Sequence, residues 1–221
     1  MIIGVSGKAQ AGKDTFGKLL KESAAIYNVE VQRRAFADKL KEYAQEHFQL
    51  TDAQVYGSEK ETMDPRWETT PRQIMQKLGA GYRAIHPDYW VRAVLGEYEE
   101  IVERPGGTFT IGVEPLWVVT DMRYKNEYDA IKAIPGSKLV RIERSNKLRG
   151  FVHDSGHASE IDLDDVQFPH VVYNNGTVSQ LSKWVRRFFI TEVLPNLKAG
   201  TCVNVAENKT SPLTYDGPLR V

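Results

Sequence analysis

Nine residues near the start of the chain carry the first candidate chemistry: Gly7-Lys8-Ala9-Gln10-Ala11-Gly12-Lys13-Asp14-Thr15. Two glycines five apart, followed by a lysine, suit a phosphate. Gly7 and Gly12 let the backbone bend and approach a ligand with no side chain in the way. The loop amides, those of Lys8 and Ala11 among them, and a helix N-terminus behind them can then face an anion. Lys13 adds a mobile positive charge that can follow the outer phosphates of a nucleotide. The usual loop of this kind has Ser or Thr directly after the lysine, with its hydroxyl on Mg²⁺. Here Asp14 holds that slot and Thr15 comes one later. Either Asp14 reaches the metal through water, or Thr15 contacts a phosphate and the metal is held elsewhere.

A second group follows the apolar run Leu116 to Thr120, which ends in Asp121-Met122-Arg123 with Glu127 beyond. A carboxylate after a buried strand, in a chain with such a loop, has the position of the acid that holds Mg²⁺ directly or through water. Arg123 beside it could grip a phosphate bidentately. The plainer alternative is an Asp–Arg ion pair at a strand end. Arg72 and Gln76 are four apart and share a helix face, so they could hold a phosphate and a base edge. A solvated face explains the same spacing. Asp38 and Lys39 sit where a second strand meets a helix, the edge of an α/β sheet at which ligands bind. A plain helix cap and a solvated charge are the alternatives. Trp90 is most simply core, and stacking on a substrate base is the sharper alternative.

The elements that must position these residues follow from periodicity. Ile2 to Ser6 reads as a buried strand. Phe16, Leu19, Leu20 and Ala24 form the stripe of a helix directly after the loop. Val29 to Phe36 reads as a second strand, followed by a helix with Asp38 as its cap and Leu40, Tyr43, Ala44 and Phe48 as its stripe. Residues 51–70 are polar and read as a mobile surface segment. Thr70-Pro71 starts a helix with Thr as cap and Pro at the first position, and Ile74, Met75, Leu78 and Tyr82 are its buried stripe. His86-Pro87-Asp88 opens another, with Trp90, Val94, Tyr98 and Ile101, ending at Arg104-Pro105-Gly106-Gly107. Further strands are expected at 116–120, 139–143 and 171–173. Thr177 with Gln180 makes a capping box for a last helix, striped by Val178, Leu181, Trp184 or Val185, Phe188 and Val193. Residues 144–165 are polar and read as an excursion from the sheet, able to close over phosphates as a lid. Strands alternate with helices throughout, so the expected fold is a three-layer α/β sandwich with a mostly parallel sheet.

Composition bounds the rest. The 221 residues suit one α/β domain with an inserted subregion. Lys plus Arg is 29 and Asp plus Glu is 29, so the formal net charge is zero and gives no support to a nucleic-acid or acidic-membrane surface. The single cysteine excludes an internal disulfide and fits a reducing, cytoplasmic compartment. No apolar run approaches the roughly 20 residues of a membrane span. A chain opening on strand and phosphate loop argues against a cleavable signal. His153, Asp154 and His157 lack metal-site spacing and read as loop polars.

Several stretches, in order, resemble the bacteriophage deoxynucleoside monophosphate kinases, within the nucleoside monophosphate kinase fold. They are Ser6-Gly7 with Gly12-Lys13-Asp14-Thr15, Arg72 with Met75-Gln76 and Leu78-Gly79, and Tyr89-Trp90-Val91. Asp121-x-Arg123 with Glu127 and Asp129-Ala130 follows, then His157 with Ser159-Glu160, and Asn174-Asn175-Gly176. Asp after the loop lysine is itself typical of that group. The resemblance covers residues 1 to 195 and is weak over 49–70 and 100–115. It implies transfer of the ATP γ-phosphoryl to a deoxynucleoside 5′-monophosphate, with Mg²⁺. It assigns Gly7 to Thr15 to ATP, with Lys13 on the transferred group and Asp14, Thr15 or Asp121 on the metal. Arg72, Gln76, Gly79 and Trp90 would line the monophosphate site, near Asp38, Lys39 and Glu127. Asp121 and Arg123 would lie between donor and acceptor, Arg144 would reach the phosphates from the lid, and Asn175-Gly176 would lie near adenine. It divides the chain into a kinase domain, 1–198, with a substrate-binding helical insert at 49–104 and a lid at 144–165, and a tail at 199–221. A homodimer is compatible with it. The competing readings are a phosphomevalonate or dephospho-coenzyme A kinase, and a P-loop ATPase or switch. Asn208-Lys209-Thr210-Ser211 is not the guanine reader of GTPases, because its fourth residue is Ser.

Overall fold

The structure is a computed structural model, and it describes residues 1–103, 115–145, 148 and 161–197. Five strands form one sheet: β1 (Ile2–Ser6), β2 (Val31–Arg34), β3 (Leu116–Met122), β4 (Lys138–Glu143) and β5 (His170–Tyr173). Their order is β2-β3-β1-β4-β5 and every pairing is parallel. Parallel strands need crossover connections, which the helices supply on both faces.

Alternate residues of the central strands feed two separate cores. Ile3, Val5, Leu116, Val118, Val140 and Ile142 pack under α1 (Lys13–Ala25) and the last helix, here α7 (Val178–Phe188). Ile2, Trp117, Val119 and Leu139 pack on the opposite face, under α5 (Tyr89–Glu103) and α6 (Lys125–Ala133). This two-sided burial is why β1 and most of β3 read as unbroken apolar runs rather than alternating ones. α2 (Phe36–Phe48), the one-turn helix α3 (Asp52–Val55) and α4 (Pro71–Ile85) enclose a third, smaller core around Ala44, Leu50, Val55 and Ile74.

Local signals set several boundaries. Thr70 caps α4 through a capping box with Gln73, with Pro71 in the first turn, and Thr177 with Gln180 does the same for α7. Residues 51–70 are more ordered than their polarity suggests. Thr51 and Gln54 form a capping box, and buried Asp64 accepts from the side chains of Gln54 and Arg66. Asp64 also pairs by backbone with Thr69, so local hydrogen bonds do what apolar periodicity does elsewhere. Val178, expected in the stripe of α7, sits at its first position and is 63% exposed. The turn expected at 104–107, most of the excursion at 144–165 and the tail from 199 lie outside the described residues.

Candidate active site

The C-terminal edge of the sheet gathers the chemistry. Gly7 follows β1 and Gly12 precedes α1, and both take left-handed φ, +151° and +108°. Space demands glycine as well. A Cβ on Gly7 would lie 2.5 Å from the Ile142 carbonyl oxygen, and one on Gly12 would lie 2.5 Å from Asn174 Nδ2. The loop is thus wedged against the ends of β4 and β5. Asn174 completes the wedge: it is buried, and its Nδ2 donates to the Ala11 carbonyl at 2.8 Å. Ala11 itself is buried, and its N–H turns back to Lys8 O at 3.2 Å. Lys13 Nζ donates to Gly7 O at 2.6 Å and Lys8 O at 2.9 Å, so the ammonium spans the loop.

Asp14 is exposed, accepts from Thr120 Oγ1 at 3.3 Å and has Arg33 at 3.8 Å. Thr15 is half-buried in the first turn of α1. A hard divalent cation usually keeps several waters and takes one or two carboxylates plus substrate phosphates. An exposed Asp14 and a hydroxyl at a phosphate loop fit that ligand set. No cluster of three or more His, Cys, Asp or Glu that could hold a metal ion occurs among the described residues.

Asp121 lies within β3 rather than after it. Both of its oxygens are engaged: Oδ1 accepts from Phe36 N–H at 2.8 Å and Oδ2 from Ala37 N–H at 2.9 Å. Those amides open α2, whose N-cap Ala35 has no side chain able to cap. The carboxylate therefore caps α2 from across the sheet. This corrects the boundary there: Phe36 opens α2 instead of ending β2, and Asp38 sits inside the first turn, not at the cap. Burial pushes the Asp121 carboxyl pKa up, against the two backbone hydrogen bonds and Arg123.

Glu127 is also buried, and its Oε2 accepts from Arg123 N–H at 2.7 Å and Tyr124 N–H at 3.0 Å. It fixes the backbone of the segment that bears Arg123, which corrects its reading as a direct substrate ligand. Desolvation and the neighbouring Asp121 push its pKa up to about 8. Arg123 stands beside the phosphate loop because β1 and β3 pair with Ser6 opposite Met122.

The helical side of the site is only partly as expected. Arg72 and Gln76 are exposed on α4, and Arg72 is paired with Glu61. Gly79 is buried, and its carbonyl accepts from Trp90 Nε1 at 3.2 Å. Trp90 is 2% exposed and packed against Tyr43, Tyr82 and Tyr89. It is a wall of the helical core, the simpler of its two readings. Lys39 bonds Glu42 at 3.0 Å and Glu97 at 2.7 Å, which raises its pKa to about 12. It ties α2 to α5 rather than facing a phosphate. Asp38 pairs with Arg33 at 3.4 Å and lies 3.7 Å from Lys41.

Further residues complete the edge, and of these Arg141 is one that reasoning from sequence did not single out. Arg83 lies over the Tyr124 ring, 4.3 Å from its centroid, so this α4 side chain reaches the segment that carries Arg123 and Glu127. Its signal was spacing, since 72, 76, 79 and 83 share one helix face. Arg141 is buried, with NH1 on Ser6 Oγ at 3.2 Å and NH2 on Asp164 at 2.9 Å. With Lys8 and Arg123 it lines a small cavity shared by Ser6, Gly7, Met122 and Leu163. Arg144 is half-buried after β4, and its Nε is buried with no hydrogen-bond partner among the described residues. Asn175 accepts from Ser145 N–H at 2.7 Å, and exposed Gly176 follows it.

A glycine-wedged loop carrying a lysine, at the C-terminal edge of a parallel sheet with arginines beside it, is the arrangement of a P-loop phosphotransferase. The model of the family described as deoxynucleotide monophosphate kinase matches residues 29–185. A protein of Acanthamoeba polyphaga mimivirus, named "Putative deoxynucleotide monophosphate kinase", is 30% identical over 192 residues, 81% of this chain and 91% of its own. The chain belongs to the deoxynucleotide monophosphate kinase family, as an ATP-dependent nucleotide kinase. Among solved structures, the dephospho-CoA kinase from Campylobacter jejuni aligns with a TM-score of 0.47 and 13% identity, covering 89% of this chain and 98% of that one. A gluconokinase from Sinorhizobium meliloti 1021 aligns at 0.46 and 15%, covering 87% and 93%. Among the described residues no helix is long and apolar enough to cross a membrane.

Proposed function

We propose that the chain moves the γ-phosphoryl of ATP to a deoxynucleoside 5′-monophosphate at the edge where Gly7 and Arg123 stand side by side. The Ser6–Met122 register that brings them together is the observation that carries this reading. The acceptor is already an anionic oxygen, so it needs no strong base. It needs charge neutralisation, in-line positioning and exclusion of water. Lys13 neutralises charge on the transferred group, and the loop amides hold the donor phosphates. Arg123, its backbone held by Glu127, stabilises the charge between donor and acceptor. Arg144 adds a further cation, and its unpartnered Nε supports a role in which a phosphate satisfies it.

Mg²⁺ bound near Asp14 and Thr15 would neutralise charge between the outer phosphates. Asp121, with both oxygens committed to α2, is the weaker ligand candidate and holds the acceptor side in shape. The acceptor lies along the α4 face of Arg72, Gln76, Gly79 and Arg83, within the 49–104 insert, and Lys39, bonded to Glu42 and Glu97, stands apart from it. Residues 144–165 are proposed as the lid and Asn175-Gly176 as the adenine contact. A phage origin rests on the motif string alone, a cytoplasmic setting on the single cysteine, and a homodimer on family likeness.

The test is a coupled ADP-release assay with ATP and Mg²⁺ against dAMP, dGMP, dCMP, dTMP, AMP, GMP and phosphomevalonate, with a no-acceptor control. Turnover confined to deoxynucleotides supports the reading and reports the base range. ADP release indifferent to every acceptor sinks it in favour of an ATPase or switch.

A further inference from the structure

One carboxylate, at the C-terminal end of the 144–165 segment, grips the phosphate loop. Asp164 Oδ2 accepts from Lys8 Nζ at 2.5 Å, and Asp164 Oδ1 accepts from Arg141 NH2 at 2.9 Å. Arg141 is buried and fully committed: Nε goes to Glu143 at 2.8 Å, and NH1 to Ser6 Oγ, in the residue that leads into the loop. Asp164 is thereby anchored to the sheet, and through Lys8 it holds the loop to that anchor. The residues around it are fixed too. Leu163 is buried in the core under α6, Asp162 accepts from Lys125 N–H at 2.7 Å, and Asp165 pairs with Lys125 Nζ at 3.0 Å. Desolvation would raise the Asp164 pKa, but the bonds from Lys8 and Arg141 outweigh it and hold the carboxyl below its ordinary value.

The hold on Lys8 reaches the reacting end of the loop, because the Lys8 carbonyl is one of the two oxygens that receive Lys13 Nζ. A side-chain tether on Lys8 therefore restrains the carbonyl that orients Lys13. Lys8 and Arg141 carry two positive charges, and Asp164 and Glu143 carry two negative ones. The cluster is neutral in itself and draws none of its balance from a nucleotide.

We propose that Asp164 is a positioning residue for the ATP side of the site: it presets Lys8, and through the Lys8 backbone Lys13, before the nucleotide arrives. The proposal rests on the kinase reading of the same loop. It gives Asp164 no contact with either substrate.

The experiment is calorimetric titration of the full chain with Mg²⁺-ATP, without acceptor, so that turnover plays no part. Asp164→Asn is the first variant. Its amide oxygen can still accept from Arg141, while its NH₂ group faces Lys8, donor against donor. Asp164→Asn is expected to weaken ATP binding about tenfold, with a melting temperature near that of the parent. In a Lys8→Met background the same change is expected to add little, because its route is already cut. In steady state the KM for ATP should rise and that for the monophosphate should stay put. Parent-like ATP affinity in Asp164→Asn, or a loss that adds in full to that of Lys8→Met, overturns the proposal while leaving the kinase reading standing. A parent chain that binds no ATP overturns both.

Discussion

Asp121 and Phe36 are 85 positions apart, yet the Asp121 carboxylate accepts the Phe36 N–H at 2.8 Å and that of Ala37 at 2.9 Å. One strand residue thus supplies the cap that α2 lacks in its own sequence, and it docks α2 on the sheet. A mainly catalytic aspartate would be lost with little effect on folding; this one holds two elements together. Asp121→Ala is expected to cost about 3 kcal/mol of stability, because two buried amides lose a charged acceptor. Urea unfolding checks it. A parent-like midpoint with activity abolished would return Asp121 to the metal.

Lys13 acts on charge rather than packing. Lys13→Ala is expected to keep the circular dichroism spectrum of the parent and to lower kcat by roughly 10²–10³-fold. An unfolded Lys13→Ala chain would show instead that the bonds to Gly7 and Lys8 maintain the loop.

Arg123 and Lys carry the same charge but not the same shape. A point charge cannot reproduce a bidentate fork, so Arg123→Lys is expected to lower turnover by roughly 10–100-fold with the fold intact. Near-normal kinetics would reduce Arg123 to a structural residue.

Arg83 lies over Tyr124, on the α4 face proposed for the acceptor. Arg83→Met keeps much of the aliphatic stem and removes the guanidinium. The expected result is a rise of about tenfold in KM for the monophosphate, with the KM for ATP unchanged. An effect on ATP alone would place Arg83 outside the acceptor site.

Glu127 makes stability depend on pH in a direction opposite to that of most carboxylates. Its folded pKa is pushed up to about 8 from an ordinary 4.5, so between those values the folded chain holds a proton that the unfolded chain has released. The stabilisation is complete below the lower value and lost as pH rises through the upper one. Melting temperature should therefore fall from mildly acidic to mildly alkaline pH, and Asp121, shifted the same way, adds to the slope. Glu127→Gln keeps an oxygen for the Arg123 and Tyr124 amides and should flatten the profile. An unchanged slope in that variant would remove Glu127 as its source.

Much of this was open to reading along the chain. The strand, glycine loop and helix of residues 2–25 are contiguous, so spacing alone revealed the phosphate site. Thr70-Pro71 and Thr177 with Gln180 are local devices, and the capping boxes stand where they were expected. The alternation of strand and helix sufficed for a parallel sheet with helices on both faces.

What one dimension could not decide was which polar groups already have partners. Lys39 looks like a phosphate ligand until Glu97, 58 positions on, is found bonded to it. Trp90 could be core or platform along the chain, and three tyrosines from three helices close around it. Asp121 looks like an open strand-end carboxylate until Phe36 and Ala37 are found bonded to its two oxygens. In the other direction, Arg141 and Asp164 carry no motif, and they reach the phosphate loop only because β4 pairs with β1 and sets Arg141 opposite Ser6. The sequence by itself determined the phosphate loop, the alternating elements and the class of chemistry, because these depend on neighbours along the chain. The tertiary structure alone decided which charges remain available to a substrate, because hydrogen-bond partners and burial are set by residues that meet only on folding.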